Sequence, residues 1–355
     1  MFILVLLSIS PIIIKFLMGD LNENKSKKNI YLTICGLCIV FVMGLRDSMS
    51  GTGDSNSYCT MFDQVKENNS NLIDYFRGMK FENGILFSEV GFSIYVWLLA
   101  NIFPSSQWLL IITAIIMTVC TLKFISKHSE DVMLSLIMFI CLGLFTFNMN
   151  GLRQCIAMSI CLLAYDHIKD KKFIPFVLLI LLAMSFHKSA LIFSFAYFLA
   201  FMKPKWNYIL FFITALVLFI ALADDISFLY DSMTGEDYSG GDSFDSGGVV
   251  VVAIYVIIIG VTLLFNKKWD KQLFLPLLLV VMGLSFYIIR YLSTQIYERI
   301  SYYFYFYTLI LLPSIISKFE IKAKTAINAT ALILSILLFY YRVSSGVFQN
   351  FSLIF

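Results

Sequence analysis

The side chains best suited to chemistry in this sequence are a few arginines, one histidine and a few carboxylates beside long apolar segments. A planar guanidinium forms two parallel hydrogen bonds to a phosphate or carboxylate and stays charged in a dry site. Such groups at several helix ends predict an anionic ligand at one boundary of a helical bundle. The plain alternative is that they are long side chains that snorkel to water. The arginines at predicted helix ends are Arg46, Arg153, Arg290 and Arg299.

Arg153 and Gln154 open a predicted helix directly after Asn148, Asn150 and Gly151. Helix N-termini favour anions because their first backbone N–H groups are unpaired and the helix dipole is positive there. Arg153 adds a bidentate donor, so this helix start is the most informative anion site that the sequence predicts.

His187 lies between two apolar runs, within residues 183–189. A histidine side chain can take up a proton near neutral pH, which makes it a candidate general base. Lys188 beside it is expected to favour the neutral, basic form. The alternative is a histidine that only caps a helix through hydrogen bonds to the backbone.

Two longer polar stretches interrupt the apolar pattern. Residues 44–58 combine Arg46 with several glycines, Asp54 and Tyr58. Glycines permit a tight backbone path near a ligand, but the ending of a nucleotide phosphate loop is missing, so by pattern alone this stretch is a turn.

Residues 224–248 are acidic, and they predict a mobile lid over an outer cavity. A calcium loop is the alternative there, although its spacing does not match.

The composition excludes a soluble protein. Of the 355 residues, 59% are hydrophobic and 14% are charged, whereas soluble domains carry about 25% charged residues. The mean hydropathy is +0.84. A soluble enzyme, a nucleic-acid-binding protein and a secreted disulfide scaffold are therefore excluded. Most of the seven cysteines lie in apolar segments without metal-site spacing, and we interpret them as packing residues.

The apolar segments predict an all-α polytopic membrane protein that forms a single integral membrane domain over residues 1–355. Backbone in lipid must satisfy its own hydrogen bonds, so the segments are helices, and about 12–13 helical segments of up to ~20 residues fit the chain. The two longer connections, 46–84 and 224–248, are expected to be outer loops. The segments are approximately 2–19, 29–45, 85–103, 106–125, 132–148, 152–168, 173–186, 189–202, 207–223, 249–265, 273–291, 300–317 and 326–341.

Lysine positions orient the predicted bundle, because lysine-rich short loops face the cytoplasm. All six arginines, including Arg77 and Arg342, then fall at the outer face. The loops alternate between the two faces of the membrane only if one of the segments does not cross it completely. We predict that this segment is 85–103, because the charge of Glu89 inside it would be costly at mid-bilayer. The lysine-rich loops are 20–28, 169–172, 203–206, 266–271 and 318–325.

Taken together, these elements resemble the EpsG-like branch of the Wzy-type polysaccharide polymerases, over roughly residues 30–315. A glycine inserted before Asp54 departs from the family pattern, and the stretch from Arg153 to Ser189 is the most specific part of the resemblance. The matching residues are Arg46, Gly51-Thr52-Gly53-Asp54 and Tyr58; Glu89-Val90-Gly91-Phe92; Asn150, Arg153-Gln154 and Ala157; Lys171-Lys172, Ala183 and Phe186-His187-Lys188-Ser189-Ala190-Leu191; and Arg299, Tyr302, Tyr303 and Pro313.

The resemblance implies a GT-C-like, metal-independent membrane glycosyltransferase without a cofactor, in the bacterial cytoplasmic (inner) membrane. Its donor would be a growing glycan on undecaprenyl diphosphate, and its acceptor a lipid-linked repeat unit on the outer side. The product would be an O-antigen of lipopolysaccharide or another exopolysaccharide. The expected partners are the lipid bilayer, the undecaprenyl-diphosphate-linked oligosaccharide and a chain-length regulator protein. Nucleic acid is not expected as a partner.

The resemblance also suggests roles for individual residues. Positioned guanidinium groups can stabilise a diphosphate leaving group without a metal, and an acceptor hydroxyl needs a base. The expected assignment is diphosphate binding by Arg153, Arg290 and Arg299, proton abstraction by His187 or Asp54, acceptor orientation by Arg46 and Asp54, and substrate binding by Gln154, Glu89 and Tyr58.

Three other functions remain open at this stage. A lipid-linked oligosaccharide flippase would also bind diphosphate, but a transporter commonly shows paired repeats, whereas this chain has no repeat and concentrates arginine at one face. A glycan ligase shares the chemistry with a different acceptor, and a membrane O-acyltransferase is a more distant alternative. Lengthening of lipid-linked repeats by the purified protein without ATP, nucleotide sugar or a second protein would discriminate among them.

Overall fold

The structure is a computed structural model that describes most of the chain and is helical throughout that part. A single antiparallel bridge between Arg46 and Leu353 is its only β-type pairing outside the undescribed segments. The all-α prediction is therefore confirmed. The described residues are 1–21, 24–48, 54–68, 71–78, 89–203, 246–265, 271–290, 296–345, 348 and 351–354.

Sixteen α-helices and one 3₁₀ helix make up the described part of the chain. The 3₁₀ helix, Lys188–Ser194, joins α10 to α11. The α-helices are α1 Phe2–Met18, α2 Lys25–Gly44, α3 Asp54–Asn68, α4 Leu72–Gly78, α5 Val90–Ile102, α6 Gln107–His128, α7 Val132–Cys141, α8 Leu144–Asn150, α9 Leu152–Lys169, α10 Phe173–Phe186, α11 Phe195–Leu199, α12 Ser246–Phe265, α13 Lys271–Ile289, α14 Ile296–Tyr305, α15 Thr308–Ile316 and α16 Ile321–Ser345.

Five described helices are long and apolar enough to cross a membrane, namely α2, α6, α12, α13 and α16. The pair α7 and α8 makes a sixth if the two helices, bent by 52° at their break, count as one span. Shorter apolar helices, α1, α5, α10 and the run 188–199, accompany them. The predicted segment 207–223 and most of the acidic loop 224–248 lie outside the described residues.

Helix α5 is shorter than its predicted apolar segment. Its 13 residues cover about 20 Å, which is less than the ~30 Å hydrocarbon core of a bilayer. Glu89 sits immediately before its first residue. The partial crossing of segment 85–103 stays a prediction, since α1 and α10 are also shorter than this core.

The predicted outer loop 46–84 contains a regular helix where the sequence pattern indicated only a turn. Helix α3 begins at Asp54 and runs for 15 residues, and its buried side chains Ser55, Cys59, Phe62 and Val65 share one face. That face packs against α5, α6 and α8. A one-sided apolar stripe of this spacing is enough to hold a polar helix against the bundle.

Helix α9 lies at the centre of the bundle and carries the helix start predicted at Arg153. It contacts α6, α8, α10 and α14. Small side chains such as Ala157, Ser159 and Ala164 are buried along it, which lets neighbouring helices approach closely. Helix α9 is therefore packed on several sides by other elements of the bundle.

Asp131 couples the start of α7 to α16. Its Oδ1 accepts hydrogen bonds from the backbone N–H groups of Met133 and Leu134, both at 3.1 Å. Its Oδ2 accepts one from Asn328 Nδ2 at 3.2 Å. This carboxylate caps one helix and fixes a second.

We expect Asp131→Ala to lower the stability of the purified protein by about 1 kcal/mol, the usual contribution of a side chain that caps a helix N-terminus. Asp131→Asn keeps an acceptor oxygen and is the matched control, with a much smaller loss expected. The measurement is the thermal unfolding midpoint in detergent. Equal midpoints for both variants would contradict the capping role.

Candidate functional site

The carboxylate of Glu89 is the centre of a buried polar cluster. Its Oε1 is hydrogen-bonded to His187 Nδ1 and accepts the backbone N–H of Lys188 at 3.3 Å. Its Oε2 forms an ion pair with Arg153, whose terminal nitrogen lies at 2.5 Å. Glu89 and His187 are both buried. Three residues that the sequence analysis singled out, Glu89, His187 and Arg153, are therefore joined in one cluster.

Backbone conformation places Glu89 in this position. It is the N-cap residue of α5 and adopts φ 50° and ψ 41°, in the left-handed region. That conformation costs a non-glycine residue about 1–2 kcal/mol. Strain of this kind persists only where the surroundings hold it, and it is common at functional sites.

Gly91 allows the start of α5 to approach the end of α10. A Cβ atom built on Gly91 would lie 2.9 Å from the carbonyl oxygen of Ser185, which is closer than real Cβ contacts allow. Glycine is therefore required for this helix contact. The pattern Glu89-Val90-Gly91 thus has a physical meaning, because the glycine brings the glutamate within reach of His187.

His187 ends α10, and its Nδ1 faces the Glu89 carboxylate. The helix C-cap at His187 has extended backbone, and its N–H still donates to the Ala183 carbonyl at 3.0 Å. A carboxylate on Nδ1 holds the proton there and leaves Nε2 as the basic atom. Nε2 makes no hydrogen bond with the described residues.

Sequence reasoning missed the partner of His187. Lys188 was expected to control the protonation of the histidine, but the structure places the side chain of Glu89 against the imidazole instead. Glu89 is 98 residues away in sequence. Only the helix contact at Gly91 brings the two together, and sequence proximity gives no signal for it.

Arg153 lies in the first turn of α9 and borders the same cluster. Its side chain is 37% exposed, unlike that of Glu89. Its Nε donates to the Tyr58 hydroxyl at 3.4 Å, and the guanidinium carbon lies 5.8 Å from the centre of the Tyr58 ring. Tyr58 packs edge-on against Phe92 of α5 with ring centres 5.4 Å apart. Helices α3, α5, α9 and α10 therefore all contribute to the cluster.

The two partners of Glu89 keep its carboxylate ionised. Burial alone would raise the pKa of Glu89, but the hydrogen bond to His187 and the charge of Arg153 outweigh burial and hold the pKa below its ordinary value. A carboxylate with a depressed pKa stabilises the fold at neutral pH and loses that contribution only as the pH falls through the folded pKa.

Gln154 and Arg299 are also brought together. The Gln154 side-chain amide donates to the backbone carbonyl of Arg299 at 2.5 Å. This bond ties the first turn of α9 to α14, and the side chain of Arg299 is exposed. Sequence reasoning expected both residues to bind substrate, and the structure places them at the same end of the bundle as Arg153.

Arg290 is paired within the protein. It forms an ion pair with Glu298 at 2.8 Å and donates to the Tyr287 hydroxyl at 3.2 Å. Its side chain is only 9% exposed. A ligand anion would therefore compete with Glu298 for this guanidinium.

Arg46 is buried among the ends of three helices. It is 1% exposed, and its guanidinium donates to the backbone carbonyls of Met43 and Met149 and to Ser55 Oγ. These acceptors belong to the ends of α2 and α8 and the start of α3. We infer that Arg46 anchors three helix ends, and its role in orienting the acceptor stays a prediction.

Asp54 begins α3 and makes no hydrogen bond or ion pair with the described residues. The structure thus places it one helical turn from Tyr58 but not against His187. The glycine-rich residues 49–53 that precede it lie outside the described residues. Among those that are described, no group of three metal-binding side chains occurs.

Arg342 approaches the break between α7 and α8, which sequence reasoning did not anticipate. A Cβ atom on Gly143 would lie 2.5 Å from a terminal nitrogen of Arg342. Gly143 itself has φ 104°, a conformation that favours glycine. The apolar character of both segments hides this contact from pattern analysis.

We expect Gly91→Ala to lower the thermal unfolding midpoint and to move Glu89 away from His187, because the added methyl group collides with the backbone of α10. Gly260→Ala is the matched control, since a Cβ there meets no atom within 4 Å. The control gains helix propensity, about 1 kcal/mol for alanine over glycine. A thermal unfolding midpoint for Gly91→Ala as high as that of Gly260→Ala would contradict the close approach.

Comparison with known proteins identifies the family of this chain. No match was found among curated proteins or among solved structures. The family model of the EpsG family matches residues 29–353. This match covers nearly the whole chain and includes every residue of the Glu89 cluster. The chain is therefore a multi-pass membrane protein of the polysaccharide-polymerase type, and it belongs to the EpsG family, a family of Wzy-like polymerases.

Proposed function

We propose that the chain polymerises lipid-linked oligosaccharide repeat units at the outer face of the bacterial cytoplasmic membrane. In this reaction, a growing glycan on undecaprenyl diphosphate is transferred to a hydroxyl group of a lipid-linked repeat unit. The observation that carries the proposal is the buried carboxylate of Glu89, which contacts both a candidate base, His187, and a candidate anion-binding group, Arg153.

In this proposal His187 is the general base. Its Nδ1 proton is held by Glu89, so its Nε2 can accept the proton of the acceptor hydroxyl as the new glycosidic bond forms. Glu89 remains ionised and stabilises the imidazolium that results. It is thus a positioning residue, acting through the histidine.

Arg153 faces the leaving group in the same proposal. The bond between the sugar and the diphosphate breaks, and negative charge builds up on undecaprenyl diphosphate as it departs. The exposed part of the Arg153 guanidinium, beside the buried part that contacts Glu89, can stabilise that charge without a metal. The exposed side chain of Arg299 lies at the same end of the bundle and is a second candidate for this ligand.

A transporter of lipid-linked oligosaccharide is the competing function. It needs anion-binding groups but no general base. The paired Glu89 and His187 therefore favour transfer chemistry, since a carboxylate that orients one histidine nitrogen leaves the other available for a proton.

We expect His187→Gln to reduce polymer formation by at least about 100-fold, the usual contribution of a general base. Glu89→Gln should reduce it by at least about tenfold, because the neutral amide orients the imidazole less well. His167→Gln and Glu130→Gln are the matched controls, with normal activity expected, because both lie outside the Glu89 cluster. The readout is the polymer ladder on gels from a host that lacks its own polymerase, at equal protein levels.

Two results would contradict the proposal. The first is a full-length ladder from the His187 variant. The second is failure of the purified wild-type protein to lengthen lipid-linked repeat units when ATP and nucleotide sugars are absent. The second experiment also separates a polymerase from a transporter, because transport alone makes no glycosidic bond.

A further inference from the structure

A pocket lies between the end of α9 and the start of α13. The Glu89 cluster is at the other end of α9. The pocket encloses about 430 Å³. Three lysines, Lys169, Lys171 and Lys203, line its polar side, and apolar side chains such as Phe201 and Leu275 line the other. The lysines belong to loops that the positive-inside rule places at the cytoplasmic face. The pocket therefore combines a cationic rim with an apolar wall at one membrane boundary.

No described carboxylate neutralises these lysines. The acidic residues nearest in sequence are committed elsewhere, since Asp170 pairs with Lys172 at 2.9 Å and Asp166 pairs with Lys127 at 2.7 Å. The ammonium group of Lys171 lies 4.7 Å from the centre of the Phe201 ring instead. No acidic residue lines the pocket within the described ranges. An anion is the complementary ligand for such a surface.

The backbone at Lys171 provides independent support. Helix α9 ends in a turn in which the N–H of Lys171 donates to Ile168 at 3.1 Å and that of Lys172 donates to His167 at 2.8 Å. In this helix-ending turn, the residue that precedes the second donor, Lys172, adopts a left-handed backbone conformation, and glycine is usual there. Here that residue is Lys171, with φ 55°.

A lysine at this position costs about 1 kcal/mol relative to glycine, because its Cβ is crowded. The Tyr197 hydroxyl donates to the Lys171 carbonyl at 2.8 Å and holds the turn against α11. The strained residue is thus fixed with its side chain at the pocket. A strained residue kept at a site indicates that its side chain is needed there.

We propose that this pocket binds one anionic phospholipid of the cytoplasmic leaflet. The phosphate group would contact Lys169, Lys171 and Lys203, and the upper part of an acyl chain would lie along the apolar wall. Basic pockets between membrane helices on the cytoplasmic side are suited to such headgroups. The proposal is independent of the polymerase chemistry, because none of these residues belongs to the Glu89 cluster.

The test is native mass spectrometry of the full-length protein in detergent, titrated with phosphatidylglycerol. Phosphatidylcholine and inorganic phosphate form the other two arms, and they separate a lipid site from a plain phosphate site. We expect phosphatidylglycerol to bind more tightly than either. Lys171→Gly should weaken phosphatidylglycerol binding by about fivefold while the thermal unfolding midpoint stays equal or rises, because glycine accepts the left-handed backbone.

Lys171→Gln and Lys322→Gln form a matched pair, since each removes one lysine charge at the predicted cytoplasmic face. We expect weaker phosphatidylglycerol binding only for Lys171→Gln, because Lys322 lies outside the pocket, at the start of α16. Equal binding by both variants would overturn the proposal. Equal binding of phosphatidylglycerol and phosphatidylcholine by the wild-type protein, or equal binding of inorganic phosphate, would overturn it as well.

Discussion

One buried carboxylate, held between an imidazole and a guanidinium, is the constraint on which this end of the bundle depends. An ionised glutamate inside a protein is expensive unless opposite charges and hydrogen bonds surround it. Glu89 has both, from His187, Arg153 and the Lys188 backbone. Arg153 comes from the start of α9, and His187 and Lys188 come from the end of α10. The carboxylate therefore selects a single arrangement of the ends of α5, α9 and α10.

Interrupted helices supply the ends that this arrangement needs. Helix α10 stops at Phe186 and a 3₁₀ helix continues from Lys188, so His187 stands at a break inside an apolar region. Helix α9 begins at Leu152, directly after α8 ends at Asn150 and the chain passes Gly151. Helix starts and breaks present backbone N–H groups that a continuous helix would have used internally. In a membrane protein such breaks are tolerated where they are buried or line a polar cavity.

The sequence predicted the class of fold and singled out Arg153 and His187, which the structure brings to one cluster, but it did not predict how they are linked. Apolar segments identify the helices directly, because length and composition dominate the energetics of a lipid environment. Arg153 and His187 stand out for the same reason, since charge is rare between apolar runs. Their link through Glu89 depends on the lack of a side chain at Gly91 and on the left-handed backbone of Glu89, and neither is visible in a hydropathy pattern. The contacts of Arg46 are not visible in the pattern either. A conspicuous arginine beside glycines is buried against backbone carbonyls and joins helix ends.

The coupling between Glu89 and Arg153 tests the account most directly, and a double-mutant cycle measures it. The free energy of unfolding in detergent is determined for the wild type, Glu89→Ala, Arg153→Ala and the double variant. If the two side chains form the buried ion pair described above, the double variant loses less stability than the sum of the single losses, by about 1 kcal/mol or more. Strictly additive losses would show that the two groups do not interact, and the assignment of this cluster as the functional site would be wrong.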